Sequence, residues 1–114
     1  MSAVEKLFSY GTLREEAVQR AVFGRPVPGT PDAILGYRLV PFTIRAAGAI
    51  AISGHADHTI LDATGDPSDR IEGLVLALTP EDLARADAYE DAGYKRVKAE
   101  LRSGAGGAWV YVRA

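Results

Sequence analysis

The chain has 114 residues, 47% hydrophobic and 25% charged, with thirteen basic and fifteen acidic side chains and a formal charge of -2. That length supports one domain with one substantial core, and near-balanced charge without a Lys/Arg cluster disfavours nucleic acid as a partner. The absence of cysteine removes disulfides, thiolate nucleophiles and Cys-ligated zinc, while the best apolar stretch, Ala46–Gly54, is too short for a bilayer and Glu5 and Lys6 interrupt any signal-peptide core, so a cytoplasmic protein without a membrane partner is expected.

Val4, Leu7 and Phe8 suit a first strand, which Gly11 then breaks by allowing backbone angles that residues with a Cβ rarely adopt. Thr12 and Glu15 have Thr-x-x-Glu spacing, the signature of a capping box, so a helix over about Leu13–Phe23 is expected. Its apolar face would carry Val18, Ala21 and Val22, with Arg20 in the last turn and Gly24 as C-cap. Such a strand–glycine–helix junction gathers backbone N–H groups at a helix N-terminus, a place suited to an anion; the simpler reading is a turn whose own side chains satisfy those donors.

Pro26, Pro28, Gly29 and Pro31 predict a loop, and Ala33–Phe42 one strand with a bulge at Gly36 and an end or edge at Pro41. Arg45–His58 is poor in signal for either helix or strand. Thr59–Ala63 reads as a short strand and Gly65–Asp69 as a turn. Ile71–Leu78 is apolar enough for a strand buried on both faces. Thr79-Pro80-Glu81-Asp82 opens a second helix with an N-cap, Pro at the first helical position and acids in the first turn, ending near Gly93. Tyr94–Leu101 alternates as a half-exposed strand, Ser103–Gly107 is a hairpin loop, and Trp109–Val112 is the last strand. The sum is an α+β domain with a mixed sheet curved into a small barrel and two main helices.

On the second helix Leu83, Ala86, Asp87 and Glu90 share one side, which places Glu90 on the core-facing stripe. Lost hydration there, with Asp87 and Asp91 as like-charged neighbours, would favour proton transfer. Two plainer readings stand beside it: a helix that ends after Tyr89 and leaves Glu90 solvated, or a structural ion pair with Arg96. His55, Asp57 and His58 have a spacing that can chelate metal on a helix, but they follow Ser53-Gly54 and are read as a solvated loop without a metal. Tyr10, Tyr94 and Tyr111 are candidates to line a cavity, although aromatic strand residues are more often core.

Tyr10-Gly11-Thr12-Leu13 after a first strand, with Asp87-Ala88-Tyr89-Glu90 followed by Tyr94-Lys95-Arg96, resembles the gamma-glutamylcyclotransferase-like family. The strand Glu72-Gly73-Leu74-Val75-Leu76 and the terminal Trp109-Val110-Tyr111-Val112 are similar to that family's pattern as well. The resemblance implies a barrel-like fold with a cavity and no cofactor. The Tyr10–Leu13 loop, with Tyr94 and Tyr111, would hold a small γ-glutamyl substrate, and Glu90 would serve as the acid/base of a cyclising acyl transfer. Asp91 stands where many relatives have glycine. The terminal domain of allophanate hydrolases is similar too, which keeps open a non-catalytic domain that binds a small acyl or amide metabolite.

Overall fold

Two cores share one strand. A computed structural model describes residues 4–43, 57–90 and 93–114, and in it β1 (Glu5–Ser9) lies at the middle of a five-stranded sheet. With β2 (Gly29–Leu35), β5 (Arg70–Leu78), β6 (Tyr94–Glu100) and β7 (Gly107–Arg113), the strand order is β2-β5-β1-β7-β6. β1 runs antiparallel to β5 and parallel to β7, which makes the sheet mixed. β3 (Tyr37–Thr43) and β4 (Asp57–Ala63) form a separate antiparallel ribbon.

Alternation along the strands sends side chains to opposite faces. Leu7, Leu76, Leu78 and Tyr111 join one cluster with the residues of α1 (Glu16–Phe23) and α2 (Pro80–Tyr89). Phe8, Ile71, Val110 and Val112 point the other way and pack with Leu61 of the ribbon. The sheet curls until its edges touch at the bridge Ile34–Leu101, supported by Arg102 N donating to Ala33 O at 2.8 Å. The α+β expectation with two main helices therefore holds, as a curled sheet rather than a closed barrel.

Several local expectations change. A single 3-10 turn, Thr12–Arg14, precedes α1, which begins at Glu16 with no side-chain cap. The Thr12 hydroxyl is engaged by Tyr89 instead, at 2.6 Å, so the expected capping box with Glu15 is absent. Gly11 has φ -122°, and an added Cβ would meet nothing within 4 Å, so neither strain nor crowding requires glycine there. Ala21 is exposed, whereas Gln19 is buried and cross-links the chain by donating to Leu13 O and accepting from Val27 N. Gly24 is the left-handed C-cap that the sequence predicts.

The single strand over 33–42 is in fact two. Gly36, at φ 84°, is the corner where the chain leaves the sheet for the ribbon, and its N–H and carbonyl tie the corner to Asp69 and Thr64. Pro31 lies within β2, an edge strand, and Pro41 within β3, where a missing N–H is tolerated. β5 exposes Glu72 and Ala77, so it is not buried on both faces. The weak-signal stretch falls largely outside the described residues, and its last two positions, Asp57 and His58, open β4.

The second capping box is present as expected from Thr79-Pro80-Glu81-Asp82. Asp82 N donates to Thr79 Oγ1 at 3.1 Å, and Thr79 N donates to Asp82 Oδ2 at 3.0 Å. Asp82 is buried and also takes a bidentate fork from Arg25, at 2.6 and 3.0 Å, which ties the loop after α1 to the start of α2. Those Arg25 bonds, helped by Thr79, outweigh burial and hold the carboxyl at about 2.

A depressed carboxyl contributes stability above its unfolded value that is lost as pH falls through the folded one. Asp82→Asn should therefore cost about 1–3 kcal/mol at pH 7, the range for a buried group losing a charge-assisted bond. It should also flatten the loss of stability between about pH 4 and pH 2. Denaturant unfolding of parent and variant across that window checks both.

Candidate functional site

The 3-10 turn and the C-terminal end of α2 meet over the end of β1, and a cavity of about 250 Å³ opens between them. Tyr10, Gly11, Thr12 and Leu13 line it from the turn, Glu90 from the end of α2, and Tyr94 and Tyr111 from β6 and β7. All seven candidate site residues thus come together, although they are drawn from four separate parts of the chain.

Glu90 arrives there by a different route from the one its helical spacing suggests. α2 ends at Tyr89, short of Gly93, and Glu90 is the C-cap with extended angles (φ -69°, ψ 144°). Its N–H still donates to Ala86 O at 3.1 Å, while its side chain leaves the helical stripe for the cavity. Glu90 is partly buried rather than fully solvated. Arg96 does not provide the ion pair considered above. It forks onto Asp87, with Nε and Nη2 at 2.8 and 3.0 Å from the two carboxylate oxygens. Asp91 lies outside the described residues. Asp87 itself is pulled in two directions: burial pushes its carboxyl up, but hydrogen bonds from Arg96 and then Tyr111 win and hold it below the usual carboxylate range.

The cavity tyrosines are tied to protein acceptors. Tyr10 Oη donates to Tyr111 O at 2.5 Å, Tyr94 Oη to Thr59 O at 2.7 Å, and Tyr111 Oη to Asp87 Oδ1 at 2.7 Å. Burial raises the Tyr10 hydroxyl far above its ordinary value, with the neighbouring Tyr94 and Glu90 adding to the effect. Burial does the same to Tyr111, followed by its bond to Asp87. Neither phenol ionises at physiological pH. Glu90 lines the same cavity as both.

The anion-site expectation changes in its physical origin. Because α1 starts at Glu16, Gly11 does not lie in its first turn. The donors are turn amides: Arg14 N and Glu15 N bond back to Gly11 O and Thr12 O, whereas the turn gives Thr12 and Leu13 N–H no acceptor of its own. Ser9, Arg14, Glu15 and Thr59 also line the cavity and were not among the candidates. Ser9 and Arg14 flank the Tyr-Gly-Thr-Leu segment, and adjacency alone could have nominated them. Thr59 opens the short strand expected over Thr59–Ala63, and no motif there pointed to a cavity. Among the described residues no group of three His, Asp or Glu side chains could hold a metal. His55 lies outside them, and only the backbone of Asp57 and His58 is described.

The Thr12–Tyr89 bond joins the turn to the residue just before Glu90, so it couples the two halves of the site. Thr12→Val and Tyr89→Phe should each cost about 0.5–1.5 kcal/mol. The double variant should cost clearly less than the sum, since both remove the same contact. Denaturant midpoints of the four proteins give the coupling directly.

No curated protein matches the chain. Among solved structures, the chain is similar to that of an Arabidopsis thaliana protein, with TM-score 0.70 and 19% identity over 99% of this chain and 65% of that one. It is similar at TM-score 0.69 and 15% identity to a structure named gamma-glutamyl cyclotransferase, covering 98% of this chain and 68% of that one. An uncharacterized protein from Pyrococcus horikoshii is similar at TM-score 0.63 and 17% identity, over 96% and 77% of the two chains. The chain thus spans about two thirds of the length of the first two. The model of one family, described as gamma-glutamyl cyclotransferase, AIG2-like, matches residues 7–114. With that match over most of its length, the chain belongs to the gamma-glutamyl cyclotransferase, AIG2-like family.

Proposed function

We propose that the protein converts a γ-glutamyl amine or γ-glutamyl amino acid into 5-oxoproline and a free amine, with Glu90 as general acid/base. The observation that carries this reading is that Glu90 and the Tyr10–Leu13 turn line one cavity of about 250 Å³. That volume suits a glutamyl-sized group, with the leaving amine projecting through the opening. Family membership supports the same reading.

Such a substrate carries its own nucleophile, so the protein need supply only a held conformation, an anion site and a proton carrier. Amides of Thr12 and Leu13, with Arg14 at the rim, would take the α-carboxylate. Glu90 removes a proton from the α-ammonium group, and the freed amine attacks the γ-carbonyl carbon to close a five-membered ring. The tetrahedral intermediate collapses with cleavage of the original amide C–N bond. In all, two protons leave the α-nitrogen and both reach the departing nitrogen, which ends as an ammonium ion. Glu90 returns to its starting form.

A panel of γ-glutamyl amines, γ-glutamyl amino acids and glutathione should yield 5-oxoproline from at least one member. Failure across the panel with folded protein would favour a binding domain instead. Glu90→Gln should keep the fold and most of the substrate affinity while turnover drops roughly 100-fold or more, the usual contribution of a positioned acid/base. Arg96→Gln should lower the melting temperature, because it strips Asp87 of its cationic partner and leaves only the Tyr111 bond. Unchanged turnover in the glutamine variant of Glu90 would remove the mechanism.

A further inference from the structure

A phenol has one proton, and the tyrosines around this cavity have already committed theirs. Tyr10 donates to a backbone carbonyl, which can only accept. Tyr111 donates to Asp87 Oδ1 at 2.7 Å, and Asp87 is kept charged by the two-pronged contact from Arg96. With its proton turned to Asp87, the Tyr111 oxygen has only lone pairs left for a ligand. The Glu90 carboxylate, which lines the same cavity, adds further acceptors. The residues that line the cavity therefore differ in polarity: the Tyr111 phenol and the Glu90 carboxylate can accept, whereas Arg14 can only donate.

Resting on the cyclotransferase reading, we propose that Tyr111 is a specificity residue that accepts a hydrogen bond from the ligand's α-nitrogen, with Asp87 and Arg96 as positioning residues that fix the direction of its hydroxyl. The chemistry favours a fixed acceptor at that place. The α-nitrogen carries N–H as an ammonium, as the attacking amine and as the lactam of the product, so the oxygen never has to reverse its hydrogen bond. A freely rotating hydroxyl would also bind ligands that present an acceptor there. The Asp87–Arg96 pair excludes them, because two lone pairs facing each other repel.

The test uses two ligands of one shape. 5-Oxoproline presents a ring N–H, and 5-oxotetrahydrofuran-2-carboxylate presents a ring oxygen in its place. Calorimetric titration of the parent should show a preference for the lactam of about tenfold, the scale of one buried hydrogen bond. In Tyr111→Phe the preference should shrink to within about threefold, since the acceptor is gone and the ring packing stays. Asp87→Asn provides an independent arm: its amide can donate to the Tyr111 oxygen and free the phenol proton for the cavity, so the preference should shrink there too. A merely structural role for these residues would lower melting temperatures and leave the ratio of the two affinities unchanged. Equal binding of the two ligands by the parent, or a tenfold ratio retained in both variants, would overturn the inference while 5-oxoproline release from the substrate panel still stood. Absence of any binding, together with no release, would remove both.

Discussion

Everything in this fold depends on burying β1 from both sides. Leu7 and Phe8 are adjacent in sequence, yet one packs under the helices and the other under the ribbon, and both are almost wholly removed from water. Burial of that kind is worth roughly 1.5–3 kcal/mol for each large apolar side chain. It also fixes the register of the strand, since a one-residue slip would exchange the two faces. The neighbouring strand accommodates this through Gly73. A Cβ there would come within 2.4 Å of Ser9 O and 2.7 Å of the Phe8 ring. Because β1 is held so firmly, the turn that leaves it begins from a fixed point. The cavity inherits its shape from that point.

Polar groups then take over where the apolar core stops. Thr12 reaches Tyr89, Tyr10 reaches the Tyr111 backbone, and Tyr111 reaches Asp87, which Arg96 holds from outside. Arg96 in turn lies 4.2 Å from the centre of the Trp109 ring, whose indole N–H donates to Glu5. This chain of contacts runs from the surface of the sheet to the cavity wall. Charged members at its outer end are partly solvated and contribute little to stability individually. Their effect is on direction: each donor has an acceptor, so the groups at the inner end have few alternative orientations.

The sequence was most readable where one local rule acted alone. Thr79-Pro80-Glu81-Asp82 satisfies N-cap, proline and dipole preferences together, and the helix starts where they say. Thr12 and Glu15 have equally good spacing, but a long-range contact to Tyr89 claims the threonine hydroxyl, and spacing cannot reveal a partner 77 residues away. Gly36 was readable as an interruption and not as a corner between two sheets, because that distinction depends on where the next strand goes. The candidate residues that line the cavity were legible through three short motifs, whereas the route by which Glu90 enters it was not. Helical periodicity extrapolated one residue too far, and the end of α2 turned the side chain toward the cavity. The pairing of Asp87 with Arg96 was equally hidden, since it joins a helix to a strand across a gap in the sequence.

The parallel contact between β1 and β7 carries a consequence for how the molecule forms. Leu7 lies opposite Trp109, and Tyr10 bonds to Tyr111 across 101 residues of chain. Contacts of that separation require closure of a very large loop before they return any stabilisation, and sheets built on them fold slowly. Helices and hairpins such as β6–β7 can form early from nearby residues, but the cavity has no wall until the two most distant strands meet. The cavity should therefore form late in refolding, together with the final docking of β1 beside β7, and not with the growth of helical signal.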